Sequence, residues 1–278
     1  MPIASEAEPG ERLLEHEPGD LTCVVEAGMR LSTLQEHLAR HGQMLALDPP
    51  GDPTLGACLA ANLSGPRRHR YGAPRDLVIG VTVVLTDGTL ASSGGKVVKN
   101  VAGYDLGKLF CGSRGAFGWI QRAALRLHPR PAAQATVVVR FDTPQEGAGL
   151  AQAVLRSQLV PSALDILASR APGRHPGGAR EARGRCCLLF EGSERAVRAQ
   201  VETALALVGG EEDASVWDEV AARQLAAGGR VAFDRLDAFL AATPDAVVRV
   251  SALNAYVPEP VPYEPSPLVG RIRAELAS

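Results

Sequence analysis

Five glycines crowd the stretch from Lys99 to Pro131, with Gly103 and Gly107 preceding Gly112, Gly115 and Gly118 at intervals of three. Such spacing lets a backbone turn sharply and come close to a planar or anionic group with no side chain between them. The same spacing serves a tightly packed loop, and on spacing alone that plainer reading is favoured. A second stretch, Thr54 to Gly65, has small residues at Gly56, Ala57, Ala60 and Ala61. Free amides at such a turn or helix start suit a diphosphate, while close helix packing explains the small residues equally well.

Charged and titratable residues give weaker signals. Arg67, Arg68, His69 and Arg70 form a basic cluster after Gly65 and Pro66. It reads either as a solvated loop or as a contact for an anion: a cofactor phosphate, a carboxylate substrate or a partner subunit. Isolated, and with Tyr71 as its aromatic neighbour, it is a poor nucleic-acid surface. His37 and His41 stand four apart on a helix, but beside Glu36 and Arg40 they read as a solvated face rather than two metal ligands. His128 reads as a surface residue beside Pro129. No serine-hydrolase elbow and no phosphate-loop motif is present.

Composition bounds the answer. The chain has 278 residues, a hydrophobic share of 46% and a formal charge of -2, an ordinary balance for a globular protein with no bias toward polyanions. Five cysteines without a C-x-x-C pair fit neither a disulfide framework nor a zinc or iron-sulfur site. No run reaches the roughly 18 apolar residues of a membrane span, and the acidic start lacks the pattern of a secretion signal, so a cytoplasmic location is expected.

The elements that must position these residues follow from periodicity. Residues 1 to 19 read as a loose lead-in, Leu21 to Ala27 as a strand, and Ser32 to His41 as a helix capped by Ser32 and stopped by Gly42. Asp48 to Pro53 is a rigid turn, Asp76 to Leu85 a strand, Asp87-Gly88 a hairpin turn, and Trp119 to Leu127 a strand. Beyond Pro131 the order is strand Ala135 to Phe141, helix Pro144 to Ser157, strand Ser162 to Ala168, loop Arg170 to Gly184, strand Arg185 to Glu191 and helix Glu194 to Val208. That order indicates a ferredoxin-like split unit. Ala246 to Leu253 reads as a last strand, Tyr256 to Pro267 as a proline-rich linker and Leu268 to Leu276 as a short helix.

Gly103-Tyr104-Asp105-Leu106 with Gly112-Ser113-Arg114-Gly115-Ala116-Phe117-Gly118-Trp119-Ile120 resembles the NxxGYDL and GSEGTLGII signatures of FAD-linked oxidases with the PCMH-type (vanillyl-alcohol oxidase) flavin domain. Thr54 to Gly65 is similar to that family's TIGGxxATNxxG block, and Arg70-Tyr71-Gly72 with Asp76 to its RYG...D element. The spelling Gly65-Pro66-Arg67-Arg68 and Lys99 to Asp105 most resembles the FAD-binding subunits of bacterial glycolate oxidases. The match is close from about residue 15 to 131 and loose thereafter.

The resemblance implies an α+β chain: a PCMH-type FAD-binding domain over residues 1–131, lacking its first small subdomain, and a ferredoxin-like α+β cap over 132–278. It implies FAD as cofactor, with Thr54, Gly56, Ala57, Asn62, Gly65, Gly72, Gly112, Gly115 and Ile120 as contacts. It further implies an FAD-dependent oxidoreductase acting on CH-OH groups, oxidising a 2-hydroxy acid such as glycolate. The implied partners are a larger flavin subunit and an iron-sulfur subunit, through which the chain would be peripheral to the inner membrane. Such chemistry needs a cation for the carboxylate and a base for the hydroxyl proton. Arg67, Arg70, Lys96 and Lys99 lie in the right blocks for the first, and no histidine stands out for the second.

Departures from the family pattern define the alternatives. The R-G-x-G-T diphosphate loop and the D-P-x-x-x-x-N-P-G-R tail are not found, Ala57 replaces a glycine, and Arg114 replaces a glutamate. Lost charge-assisted hydrogen bonds to a diphosphate are worth about 1.5–3 kcal/mol each. A flavin-free structural subunit and a stand-alone oxidase of another hydroxy acid or alcohol are therefore the competing readings.

Overall fold

The structure is a computed structural model that describes residues 10–95, 106–169, 183–224, 228–230, 236–243, 246–250 and 254–256. These fall into two compact units: residues 10–65 and 71–130 form unit 1, and 66–70 together with those from 131 onward form unit 2. Lys96, Lys99, Gly103-Tyr104-Asp105, most of the loop from Arg170, the proline-rich linker beyond Tyr256 and the terminal helix lie outside the described residues.

Unit 1 is built on β1 (Leu13–Glu17), β2 (Thr22–Glu26), α1 (Leu31–Ala39), β3 (Gln43–Met44), α2 (Leu55–Ala61), the short α3 (Arg68–Tyr71) and α4 (Pro74–Leu77), β4 (Val78–Leu85), β5 (Leu90–Gly94), α5 (Leu106–Phe110), β6 (Gly118–Arg126) and β7 (His128–Pro129). Of α3, the unit keeps Tyr71. Its antiparallel sheet runs β1-β2-β6-β4-β5, with Val25 opposite Ala123 and Val81 opposite the same residue from the other side. One sheet face buries Val25, Val81, Val83 and Leu125 against Leu34, Leu38, Leu55, Leu59 and Phe110 of the helices. Alternation in period two on β4 and β6 and the Leu31-Leu34-Leu38 spacing on α1 dictate that core.

Two expectations are corrected here. The acidic lead-in is not loose throughout: Leu13–Glu17 pairs with β2 as an edge strand, and Leu13 packs on the core. Ser32 does not cap α1; the N-cap is Arg30, and the Ser32 amide and hydroxyl both donate to the Asp52 carboxylate at 3.0 and 2.9 Å. Those two bonds, the amide's first, hold the Asp52 carboxyl below the ordinary carboxylate range.

Unit 2 contains β8 (Ala133–Phe141), α6 (Pro144–Arg156), β9 (Ala163–Ala168), β10 (Gly184–Gly192), α7 (Glu194–Val208), β11 (Glu211–Glu212), α8 (Val216–Gln224), β12 (Gly228–Arg230), α9 (Leu236–Ala242), β13 (Val247–Arg249) and β14 (Asn254–Tyr256). The first four strands lie side by side as β11-β8-β10-β9, the strand order 4-1-3-2 of a ferredoxin-like split unit, and β13, β14 and β12 extend that sheet. Thr143 caps α6 with Glu146 returning to the Thr143 amide, and Ser193 caps α7. One sheet face is apolar beneath α6, α7 and α9, with Val137, Ile166, Leu188 and Val248 in its core.

The opposite face combines Val138, Leu167, Cys187 and Val247 with a fully buried ion pair. Arg249 Nε and one terminal nitrogen donate to Asp165 at 3.2 and 3.0 Å, and the same nitrogen donates to Gln224 Oε1 at 3.0 Å. Among the described residues no helix is long and apolar enough to cross a membrane, and no group of three metal-ligating side chains occurs.

All five cysteines are free and buried, and burial pushes the Cys23, Cys58 and Cys186 thiols up to about 12. The native protein is therefore expected to leave a thiol reagent such as DTNB unreacted at pH 8, with five thiols titrating only in denaturant. Arg249→Met strands the Asp165 carboxylate, which is 0% exposed, and should lower the unfolding free energy by about 3–5 kcal/mol in a denaturant titration.

Candidate functional site

Helix α2 has seven residues, too few to be stable without help from outside, and both of its ends are bonded to other segments. At the start, Leu55 N donates to Met29 O at 2.8 Å and Gly56 N to Ala27 O at 2.7 Å. Ala57 N donates to Thr54 Oγ1 at 3.2 Å and Cys58 N to Thr54 O at 3.0 Å. At the other end, Asn62 takes the left-handed conformation (φ 49°) and closes the helix onto Cys58 O and Leu59 O. The glycine-rich loop then supplies two more donors: Gly112 N reaches Leu59 O and Arg114 N reaches Ala60 O, both at 2.9 Å.

The structure thus joins the two sequence blocks, with the loop after α5 capping the carbonyl end of α2. Gly112 can do this because its φ of +86° is open to glycine and its neighbour in the Cβ direction is Asn62 Cβ at 3.4 Å. Gly115, also at positive φ, has only Gly118 O within 4 Å of a Cβ position. Ser64 and Ser113 are buried nearby in sequence, and Asn62 Oδ1 accepts from Arg75 N at 3.3 Å.

Other expected contacts have structural duties. Gly65 lies so close to Asp48 that a Cβ would stand 1.7 Å from its carbonyl oxygen. Gly72 faces the Asp76 side chain, whose Oδ2 accepts from Ala73 N at 2.8 Å and holds the first turn of α4, which accounts for the Gly72 and Asp76 spacing. Gly56 packs on Ala27. Ile120 is 5% exposed in the core of unit 1, so its side chain is spent on packing.

The expectation of free amides at the start of α2 is corrected as well, because the amides of Leu55, Gly56, Ala57 and Cys58 all donate within the protein. What α2 offers outward is a face without long side chains: Ala57 and Ala61 are exposed, while Leu55, Cys58 and Leu59 point into the core at 0% exposure. Such a face admits a flat group beside the Asn62 side chain.

The basic cluster resolves differently. Arg67 and Arg70 belong to unit 2, where Arg67 pairs with Glu191 at 2.6 Å and Arg70 donates to Glu191 O at 3.1 Å. His69 is half-buried there, and burial lowers its tendency to protonate. In unit 1, His41 meets His16 edge to face at 4.8 Å, and His128 meets Tyr71 at 4.9 Å. A shallow concavity of ≈ 260 Å³ on the outer sheet face contains Arg122, Thr82 and Ser92, which bond to one another at 3.0 Å. Sequence reasoning missed Asp52 and Glu191, since their partners lie 20 and 124 residues away and leave no local pattern.

Two glycines separate clash from strain. Gly65→Ala should destabilise the chain by about 3 kcal/mol or more, since the obstructing atom is backbone. Gly115→Ala should cost only about 1–2 kcal/mol of left-handed strain, the difference being read from paired denaturation curves.

Residues 10–94 match a family model described as an FAD binding domain. The chain is 35% identical over 148 residues to D-lactate dehydrogenase [cytochrome] 1 of Saccharomyces cerevisiae, covering 53% of this chain and 25% of that protein. It is 37% identical over 124 residues to glycolate oxidase subunit GlcE of Escherichia coli (44% and 35% covered), and 32% identical over 158 residues to subunit GlcD of Bacillus subtilis (56% and 34% covered). The chain spans about a quarter to a third of the length of these relatives. A solved structure of alkyldihydroxyacetonephosphate synthase shares the fold with a TM-score of 0.70 at 16% identity, over 96% of this chain and 62% of that one. Residues 10–94 thus carry the FAD binding domain of that family model, within a chain similar over about half its length to FAD-linked hydroxy-acid oxidoreductases.

Proposed function

We propose that unit 1 holds FAD against the outward face of α2 and the loop that caps it, and that the protein works as the FAD-binding subunit of a glycolate-oxidase-like complex. The observation that carries this reading is the pair of backbone bonds from Gly112 and Arg114 to Leu59 and Ala60, which assembles the two flavin-type blocks into one surface. Asn62, Gly112 and Gly115 fit the neutral part of the cofactor. The spent amides at the start of α2 do not fit its diphosphate, which must find donors elsewhere.

Bound there, FAD would supply a hydride acceptor for the carbon bearing the hydroxyl. The chain's own contribution is to bind and orient: the bare Ala57–Ala61 face leaves room for a flat ring beside Asn62. The 2-hydroxy acid as substrate is supported by the glycolate oxidase and D-lactate dehydrogenase relatives. A larger flavin subunit as partner is supported by the similarity to both glycolate oxidase subunits. The iron-sulfur partner and the cytoplasmic, membrane-peripheral location rest on the resemblance alone and belong to the same proposal.

A second reading, a flavin-free structural subunit, draws on one specific observation: the α2 amides and the Arg67 and Arg70 side chains are engaged within the protein. The visible spectrum decides between the two. Purified protein supplied with FAD should retain bands near about 370 and 450 nm after gel filtration. Anaerobic glycolate should bleach them. A colourless protein would favour the structural subunit, and bands that glycolate and D-lactate leave unchanged would argue against hydroxy-acid oxidation.

A further inference from the structure

Gln43 has a buried side chain, 6% exposed, on a strand that β7 holds at Pro129. Its Nε2 donates to Pro18 O at 2.7 Å, which turns the amide oxygen toward His16, whose Nε2 lies 2.8 Å from Gln43 Oε1. A carbonyl oxygen only accepts, so the neutral His16 ring carries its proton on Nε2 and its lone pair on Nδ1. A hydrogen-bonded neighbour of this kind is what sets the tautomer and heading of a metal-binding imidazole.

A second imidazole stands beside the first. His41 follows α1, its amide bonded to Leu38 O at 3.0 Å, and its ring meets that of His16 edge to face with the ring centres 4.8 Å apart. Two imidazoles on one tetrahedral ion, each nitrogen about 2.0–2.1 Å from it, have those nitrogens about 3.3 Å apart. Rings this close meet that span with a turn of the exposed His41 about its side-chain bonds. Sequence spacing places His41 beside His37 on a solvated face, whereas the fold brings it against His16 of β1. All of these residues belong to unit 1.

From this geometry we infer that His16 and His41 form a two-histidine site for a divalent transition-metal ion of the imidazole-preferring kind, such as Zn²⁺, with Gln43 as the positioning residue for His16. Among the described residues no group of three histidine, cysteine, aspartate or glutamate side chains is placed to hold an ion, so water completes the coordination. The ion ties β1, an edge strand of its sheet, to the chain that leaves α1. The site is independent of the flavin reading.

The test titrates the untagged full chain with ZnCl₂ in a calorimeter, in a non-chelating buffer and without flavin. His41→Ala, at an exposed position, and His16→Ala should each weaken binding about tenfold or more, and Gln43→Leu about 10–100-fold. His37→Ala should stay within about threefold of wild type. Circular dichroism confirms which variants fold, and His41→Ala keeps the test intact if the other two do not. Zn²⁺ at a hundredfold excess over its Kd should raise the melting midpoint of the wild type by about 5 °C or more, and leave that of His41→Ala where it was.

A wild-type chain that takes up no Zn²⁺, or a His41→Ala variant that binds it as the wild type does, would overturn the site. Binding lost in His37→Ala but kept in His16→Ala would put the ion on the face of α1 and overturn the pairing. Wild-type affinity in a folded Gln43→Leu would overturn the positioning role of Gln43.

Discussion

Everything in unit 1 depends on how a seven-residue helix is held at both ends. Alone, a helix this short does not form in water, since nucleation fixes several residues for each bond made. Here the turn after β2 accepts the first amides, and the glycine loop donates to the last carbonyls. The helix is therefore less an element than a joint. It ties residues 27–29, 54–65 and 112–114 into one piece, and its small residues let the joint close, as Gly56 against Ala27 shows.

That constraint also shapes the chemistry on offer. A helix start whose amides are already engaged cannot serve as an anion cradle, so α2 itself offers alanine methyls and an asparagine side chain, with the exposed Arg114 on the loop that caps it. The basic cluster that looked free to meet an anion is drawn into unit 2 by Glu191, and Arg249 is taken by Asp165.

Local periodicity was read well wherever it decided the structure. From Ala133 to Val208, the strands and helices match the expected ones within two residues, and the split-unit strand order followed from their sequence. The hairpin at Asp87-Gly88 appears as expected, with Leu85 N bonded to Thr89 O. What escaped was set at a distance. Leu13–Glu17 is a strand because β2 is beside it, not because five residues rich in glutamate favour one. Ser32 has the right type for a cap, yet Asp52 does the capping from another turn. The amides of α2 were read as available because sequence shows helix starts but not which carbonyls stand opposite them. Ile120 belongs to the glycine motif by sequence, while its place in a period-two strand buries its side chain in the core of unit 1.

On the proposed function, α2 and its capping loop form a single closed surface against which the flavin lies. Hydrogen exchange, followed by mass spectrometry on peptides spanning residues 55–64 and 110–118 with and without FAD, tests it most directly. Both peptides should exchange slowly in the free protein, open together under mild denaturant, and be slowed together by FAD. Fast exchange of residues 55–64 in the free protein, or protection by FAD that leaves both peptides untouched, would contradict it.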